Sequence, residues 1–330
     1  LDLNQIERPA MINANEGQTN EGQPSQGLVD LQINGLGGID FNQTELEQEP
    51  WRQAIELLGR DGTSHFLPTL ITDSIENLCR KLSNLARLCE HTSRDLSLPS
   101  KAVGIHLEGP FLSAESGYIG AHPAHHAIAM DTQQLKRLVD AADGWLKLVT
   151  LAPERDSNCE GIKLLVRENI LVAAGHCNPS IDQLRRAIDA GLTLFTHLGN
   201  ACPPNLPRHE NVIHRVLALR ESLKVTLIAD GFHLPMWLLE NWIEWFGDEN
   251  VAIISDAISA AGLPPGVYQL SDRKVDVGVD GVPRSQDRTH FVGSGSTLGR
   301  MHKACNLNFA WSNHRVEKLF KSNAARWLGL

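Results

Sequence analysis

From residue 28 onward the chain alternates two textures. Short runs of mostly apolar residues are separated by stretches in which apolar residues recur every three to four positions. The short runs are LVDLQIN (28–34), SHFLPTLIT (64–72), AVGIHLEG (102–109), LKLVTLAP (146–153), ILVAAGHC (170–177), LTLFTHLGN (192–200), KVTLIADG (224–231) and VAIISDA (251–257). Most are continuously apolar before a polar tip, the pattern of parallel strands covered by helices on their outer side. Between them, Ile75, Leu78, Leu82, Leu85 and Leu88 fall on one helical face. Ser180 with Gln183 is a capping-box signature opening a helix that Gly191 closes, and Asp131 is placed to cap another. Eight strands in β–α alternation predict a closed (β/α)8 barrel of the TIM type. A doubly wound open sheet is the other architecture with this rhythm, but no G-x-G-x-x-G follows the first strand.

Before residue 28 the texture is different. Residues 1–27 read as a polar arm, rich in Asn, Gln, Gly and Glu and without apolar periodicity, so the barrel is expected over 28–330. Two connections are long. Residues 110–130 carry Gly, Pro and three histidines, and 262–300 read as loop or hairpin; long loops in compact domains are often functional.

Composition narrows the function classes. With 330 residues and 42% hydrophobic content the chain can build one large core, and a barrel of this kind takes ~250 residues. The net charge of −9 argues against a nucleic-acid surface, which needs a basic face. A small anion held by a few convergent basic residues stays compatible with it. No run approaches the ~20 apolar residues of a membrane span, and LDLNQIERPA has no signal-peptide pattern, so a cytoplasmic location is expected. The six cysteines are scattered without a C-x-x-C pair and are expected to be free thiols.

The candidate chemistry lies at the C-terminal tips of the strands: Gln32, Asn34, Glu108, His176, His197, Asp230 and Asp256. A barrel gathers these tips at the face where such enzymes place their active sites. Glu108, His176 and His197 make a candidate Glu-His-His metal site with room for a water. Ordinary strand-end polar groups are the competing reading for each taken singly. His106, two residues before Glu108 on the same strand face, reads as a packed or supporting histidine. Asp256 is a candidate proton acceptor beside that site, or else a turn aspartate. Arg208 and His233 can pair with phosphate oxygens, and the backbone at Asn200–Ala201 can add donors, although Arg208 alone reads more readily as a surface arginine. GSGSTLG (293–299) lacks the Lys-Ser/Thr ending of a phosphate loop, and His122, His125 and His126 lack H-E-x-x-H spacing.

Read together, LVDLQINGLGGIDFN, GTSHFLPTLIT, GIHLEGPFLS, AAGHCNPS, THLGNACPP, IADGFHLP and ISDAISAAG follow one another in the order of a known family. Over about residues 28–330 the chain resembles the N-acetylglucosamine-6-phosphate deacetylases of the amidohydrolase superfamily. The resemblance implies hydrolysis of an N-acetyl amide on a phosphorylated amino sugar, with one divalent metal, most readily Zn²⁺, on Glu108, His176 and His197. It implies Asp256 as general acid/base, His122 as a sugar contact, Asn200, Ala201, Arg208 and His233 as substrate and phosphate contacts, and Leu298 lining the acetyl pocket. It further implies a homodimer in which one phosphate-binding arm comes from the neighbouring subunit. Two departures stand out. Where many amidohydrolases carry His-x-His for a second metal, this chain has Gln32 and Asn34, so a single tightly held ion is expected. The family's small β-domain, built from both termini, is expected to be absent or vestigial. Another amidohydrolase, or a silent sugar-phosphate binder, are the competing functions. The first lacks its His-x-His here, and the second would not need Glu108, His176, His197 and Asp256 together.

Overall fold

The computed structural model describes residues 27–330 except Ser271, Asp272 and Thr289, so nearly all of the polar arm at 1–27 lies outside the described residues. Eight parallel strands follow in the order expected: β1 (Leu28–Ile33), β2 (Thr63–Ile71), β3 (Ile105–Glu108), β4 (Leu146–Leu151), β5 (Leu171–Ala174), β6 (Leu194–Phe195), β7 (Lys224–Ile228) and β8 (Val251–Ile254). Each is hydrogen-bonded to the next, with no crossover in the order. The barrel closes between its ends through a parallel bridge from Ile33 to Ala257, where the Asp256 N–H reaches the Gln32 carbonyl at 2.9 Å and the Asn34 N–H the Ala257 carbonyl at 2.7 Å. Lower on that seam a carboxylate stands in for the ladder. Asp30 Oδ1 accepts the N–H groups of Gln32 at 3.2 Å and Ser255 at 3.1 Å. Buried backbone donors must find partners somewhere, and here a side chain supplies one.

Helices α1 (Gln48–Asp61), α2 (Ile75–Ser93), α3 (Thr132–Ala141), α4 (Glu160–Arg167), α5 (Ile181–Asp189), α6 (Val212–Ala218), α7 (Met236–Phe246) and α8 (Leu298–Asn308) form the outer layer. The caps read from sequence form as expected. Ser180 and Gln183 make the reciprocal capping box of α5, and Asp131 accepts from Gln133 and Gln134 at the start of α3. Leu78, Leu82, Leu85 and Leu88 on α2 are fully buried or nearly so. They join one continuous apolar core with residues from every barrel strand. No described helix is long and apolar enough to cross a membrane, and all six cysteines are free.

The expected strands overran the observed ones at their C-terminal ends. His176, His197 and Asp256 lie beyond the last ladder residues and adopt φ of 49°, 33° and 45°. Side chains other than glycine rarely occupy this left-handed region, at a cost of about 1–3 kcal/mol each. The sharp turn leaves the ladder and directs these side chains over the barrel mouth. The region 262–300 supplies a second layer there: an antiparallel sheet of β9 (Gly266–Leu270), β10 (Arg273–Val277) and β11 (Pro283–Ser285), with its own small core of Ile258, Ala260, Val275, Val277 and Val292.

Candidate active site

A cavity of about 890 Å³ opens at the C-terminal mouth of the barrel, lined among others by Asn34, Glu108, His122, His176, His197 and Asp256. Glu108, the last residue of β3, is 2% exposed and is the focus of three imidazoles. His197 Nε2 lies 2.9 Å and His176 Nε2 3.4 Å from its Oε1, while His122 Nε2 lies 3.4 Å from its Oε2. Burial opposes ionisation of Glu108, yet the facing histidines hold its carboxyl well below the usual carboxylate range. Burial and the neighbouring His176 push the His122 imidazole down to about 4, so it is neutral at physiological pH.

Backbone contacts decide which ring nitrogens carry protons. His176 Nδ1 faces the Tyr118 carbonyl at 3.0 Å, an acceptor only, so the proton sits on Nδ1 and Nε2 presents a lone pair toward Glu108 Oε1. Two acceptors 3.4 Å apart in a buried site suit a cation between them. His122 is the opposite case. The Thr72 N–H points at its Nδ1 from 3.3 Å, which makes Nδ1 the acceptor and leaves the proton on Nε2, facing Glu108 Oε2 at 3.4 Å. One ligand atom each of Glu108, His176 and His197 lies within 4.8 Å of the others, and this is the one such group of potential metal ligands among the described residues. A carboxylate and two imidazoles with space alongside is the donor set of a catalytic rather than a structural zinc-type site.

Asp256 stands across from this group. Burial and the negative field of Glu108 raise its carboxyl above the usual range, partly offset by His197, His233 and the Asn34 amide. A carboxylate with raised proton affinity is suited to accepting and returning a proton. The amides of Gln32 and Asn34, expected in place of a second metal's ligands, both donate to Asp256 Oδ1, at 3.1 and 2.9 Å. His106 lies beneath Glu108, with Nε2 2.8 Å from Thr150 Oγ1, and Thr150 Oγ1 lies 2.8 Å from Thr196 Oγ1. Burial pushes His106 down to about 4, so it is a neutral, hydrogen-bonded part of the barrel interior and no part of the Glu-His-His group.

Asn200, Ala201 and His233 also line the cavity. His233 Nδ1 is 2.7 Å from Asp230 Oδ2, so Asp230 orients this imidazole rather than facing the metal-capable group. Two of the expected contact residues do not line this cavity. Leu298 is 1% exposed and packs in the apolar core at the start of α8, where it lines no part of the cavity. Arg208 is exposed and is likewise absent from the cavity wall. The basic residues that do line it, Lys81, Arg284 and Arg288, belong to no motif noticed in the sequence. Thr72, which orients His122, ends the second predicted strand, so the rule of strand tips applied evenly would have found it.

No family model matches the chain. It is 30% identical over 312 residues to the N-acetylglucosamine-6-phosphate deacetylase of Bacillus subtilis (strain 168), covering 92% of this chain and 75% of that protein. It is 33% identical over 250 residues to an N-acetylgalactosamine-6-phosphate deacetylase of Shewanella sp. (strain ANA-3), covering 76% of this chain and 60% of the relative. Among solved structures, a point variant of the Mycobacterium smegmatis N-acetyl-D-glucosamine-6-phosphate deacetylase, in complex with N-acetyl-D-glucosamine-6-phosphate, superposes with a TM-score of 0.82. That match has 32% identity over 92% of this chain and 77% of the other. Shared sequence, shared barrel and the clustered tip residues agree, and the chain belongs to the N-acetylglucosamine-6-phosphate deacetylase family.

Proposed function

We propose that the protein hydrolyses the N-acetyl amide of N-acetylglucosamine 6-phosphate, releasing acetate and glucosamine 6-phosphate. The observation that carries this reading is the buried Glu108–His176–His197 group with Asp256 across the same cavity. Those three side chains would hold one divalent cation, most readily Zn²⁺, which when bound polarises a carbonyl and eases deprotonation of water. Asp256 accepts the proton of the attacking water as the oxygen–carbon bond forms. His122, with its proton on Nε2, donates toward the charge that develops on the amide oxygen. Asp256 then returns the proton to the amide nitrogen as the carbon–nitrogen bond breaks.

The phosphate is assigned to the backbone at Ala201, since the Asn200 N–H is already taken by the His197 carbonyl at 3.0 Å, and to His233, both of which line the cavity. Arg208 does not reach its own cavity. The family resemblance implies a phosphate-binding arm from a neighbouring subunit, and Arg208 is our candidate for it. The galactosamine epimer is a second reading, favoured by the 33% identity to the Shewanella enzyme. Acetate release from both 6-phosphates, with metal content measured in parallel, tests the proposal. Turnover of neither sugar by metal-replete protein would overturn it, and a clear preference between them assigns the epimer.

A further inference from the structure

Gln32 and Asn34 do not play the same part. Gln32 is 1% exposed, lies beneath the cavity floor and does not line it. Asn34 is 6% exposed and forms part of the wall. Its backbone is fixed on both sides, the N–H on the Ala257 carbonyl at 2.7 Å and the carbonyl on the Phe41 N–H at 2.9 Å. Its amide nitrogen donates to Asp256 Oδ1 at 2.9 Å, while its own Oδ1 is buried and meets no hydrogen-bond partner. The opposite amide orientation would set a carbonyl oxygen against the carboxylate, so the unpartnered atom is an acceptor. A buried acceptor without a donor costs about 1–3 kcal/mol, and on a residue that lines the cavity a donor admitted from that side would relieve it.

We propose that Asn34 positions the attacking water together with Asp256, an inference that rests on the hydrolytic reading above. Both amides fall on Asp256 Oδ1, and Asp256 lines the cavity, so its Oδ2 is assigned to the water. A water between Asp256 and Asn34 gives one hydrogen to Oδ2 and the other to Asn34 Oδ1. With both hydrogens engaged, a lone pair is left to face the amide carbon. Bond formation transfers the first hydrogen to Oδ2 as a proton. The second stays on the new oxygen and holds its bond to Asn34. Asn34 is thus a positioning residue with two contacts, whereas Gln32 only tethers the carboxylate.

The test uses the full chain loaded with zinc and steady-state turnover of N-acetylglucosamine 6-phosphate by wild type, Gln32→Ala, Asn34→Ala, Asp256→Asn and the Asn34→Ala/Asp256→Asn double variant. Asn34→Leu, close to isosteric, replaces Asn34→Ala if the smaller side chain unfolds the seam. Asn34→Ala should lower kcat at least about tenfold, more than Gln32→Ala, with KM changed less than about twofold and zinc content unchanged. Because the two residues act on one water, adding Asn34→Ala to Asp256→Asn should cost much less than it does alone, whereas mere structural damage would multiply equally in both backgrounds. An equal loss in both backgrounds, a rise in KM at constant kcat, or a fall in bound metal would each overturn the proposal. The last would make Asn34 a ligand. A wild type that releases no acetate fails the hydrolytic reading itself, while normal turnover by Asn34→Ala fails this inference alone.

Discussion

At the floor of the cavity, Glu108, His176, His197 and Asp256 hang from the ends of barrel strands. Glu108, His176 and His197 are buried and Asp256 is half-buried, and His176, His197 and Asp256 are turned by left-handed backbone. Across from them, Arg284 and Arg288 belong to the β9–β11 sheet and its following loop, and they pair with Asp280 and Asp276 near the surface. The floor shares the one large core of the barrel, whereas the sheet rests on a satellite core of a few residues. Proton transfer requires reacting groups held to fractions of an ångström, and only a continuous packed core supplies that. Holding a charged substrate at the mouth tolerates longer, more exposed side chains. On the proposed reading, bond-making would fall to the rigid strand ends, while the loops and the added sheet complete the mouth of the cavity.

If that division is right, effects should be severe on the floor and graded toward the roof. His176→Ala removes one of three metal-capable side chains and should abolish both stoichiometric zinc binding and acetate release, read by elemental analysis and turnover. Normal metal content in that variant would remove His176 from the proposed ligand set. Asp256→Asn keeps the shape and should retain metal, but lose at least about 10²-fold in kcat.

Asp30 offers a probe of the floor that does not touch substrate. Burial raises its carboxyl to about 7, against the pull of its bonds to Ser255 and Gln32. A carboxylate whose folded value lies above its unfolded value of about 4 binds its proton more tightly when native, so its contribution falls as pH rises from about 4 to about 7. Asp30→Asn removes that titration. Thermal or denaturant unfolding should show the variant gaining about 2–3 kcal/mol relative to wild type between pH 5 and pH 8. A constant difference over that range would show that Asp30 does not titrate there.

Toward the mouth the effects shrink. Arg208→Ala should cost about 1.5–3 kcal/mol in kcat/KM for the phosphorylated sugar and almost nothing for unphosphorylated N-acetylglucosamine. Equal losses on the two sugars would mean that Arg208 supports the fold or assembly rather than the phosphate. Arg288→Ala breaks an ion pair whose arginine side chain is 65% exposed, and should change unfolding stability by less than about 1 kcal/mol. A larger effect there would show the roof to be more tightly built than the comparison claims.

Local pattern determined a great deal. Eight apolar runs between amphipathic stretches led to the barrel, and the polar residue ending each run led to Glu108, His176, His197 and Asp256, because strand direction in a β–α repeat decides which end faces the active site. Caps at Ser180 and Asp131 were equally legible, since they depend on residues only a few positions apart. Tertiary structure alone decided the rest. Gln32 and Asp256 are separated by 224 positions and meet only because the barrel closes. The sequence could therefore show two amides where histidines were expected, but not that both would grip one carboxylate oxygen. The tertiary structure likewise has Leu298 in the core and Arg208 outside the lining of the chain's own cavity, which their motifs alone did not show. A motif reports which residues stand near one another in the chain. Where their side chains finish depends on turns such as the left-handed steps at His176, His197 and Asp256, whose conformation is held by the packed barrel around them rather than by their own preferences.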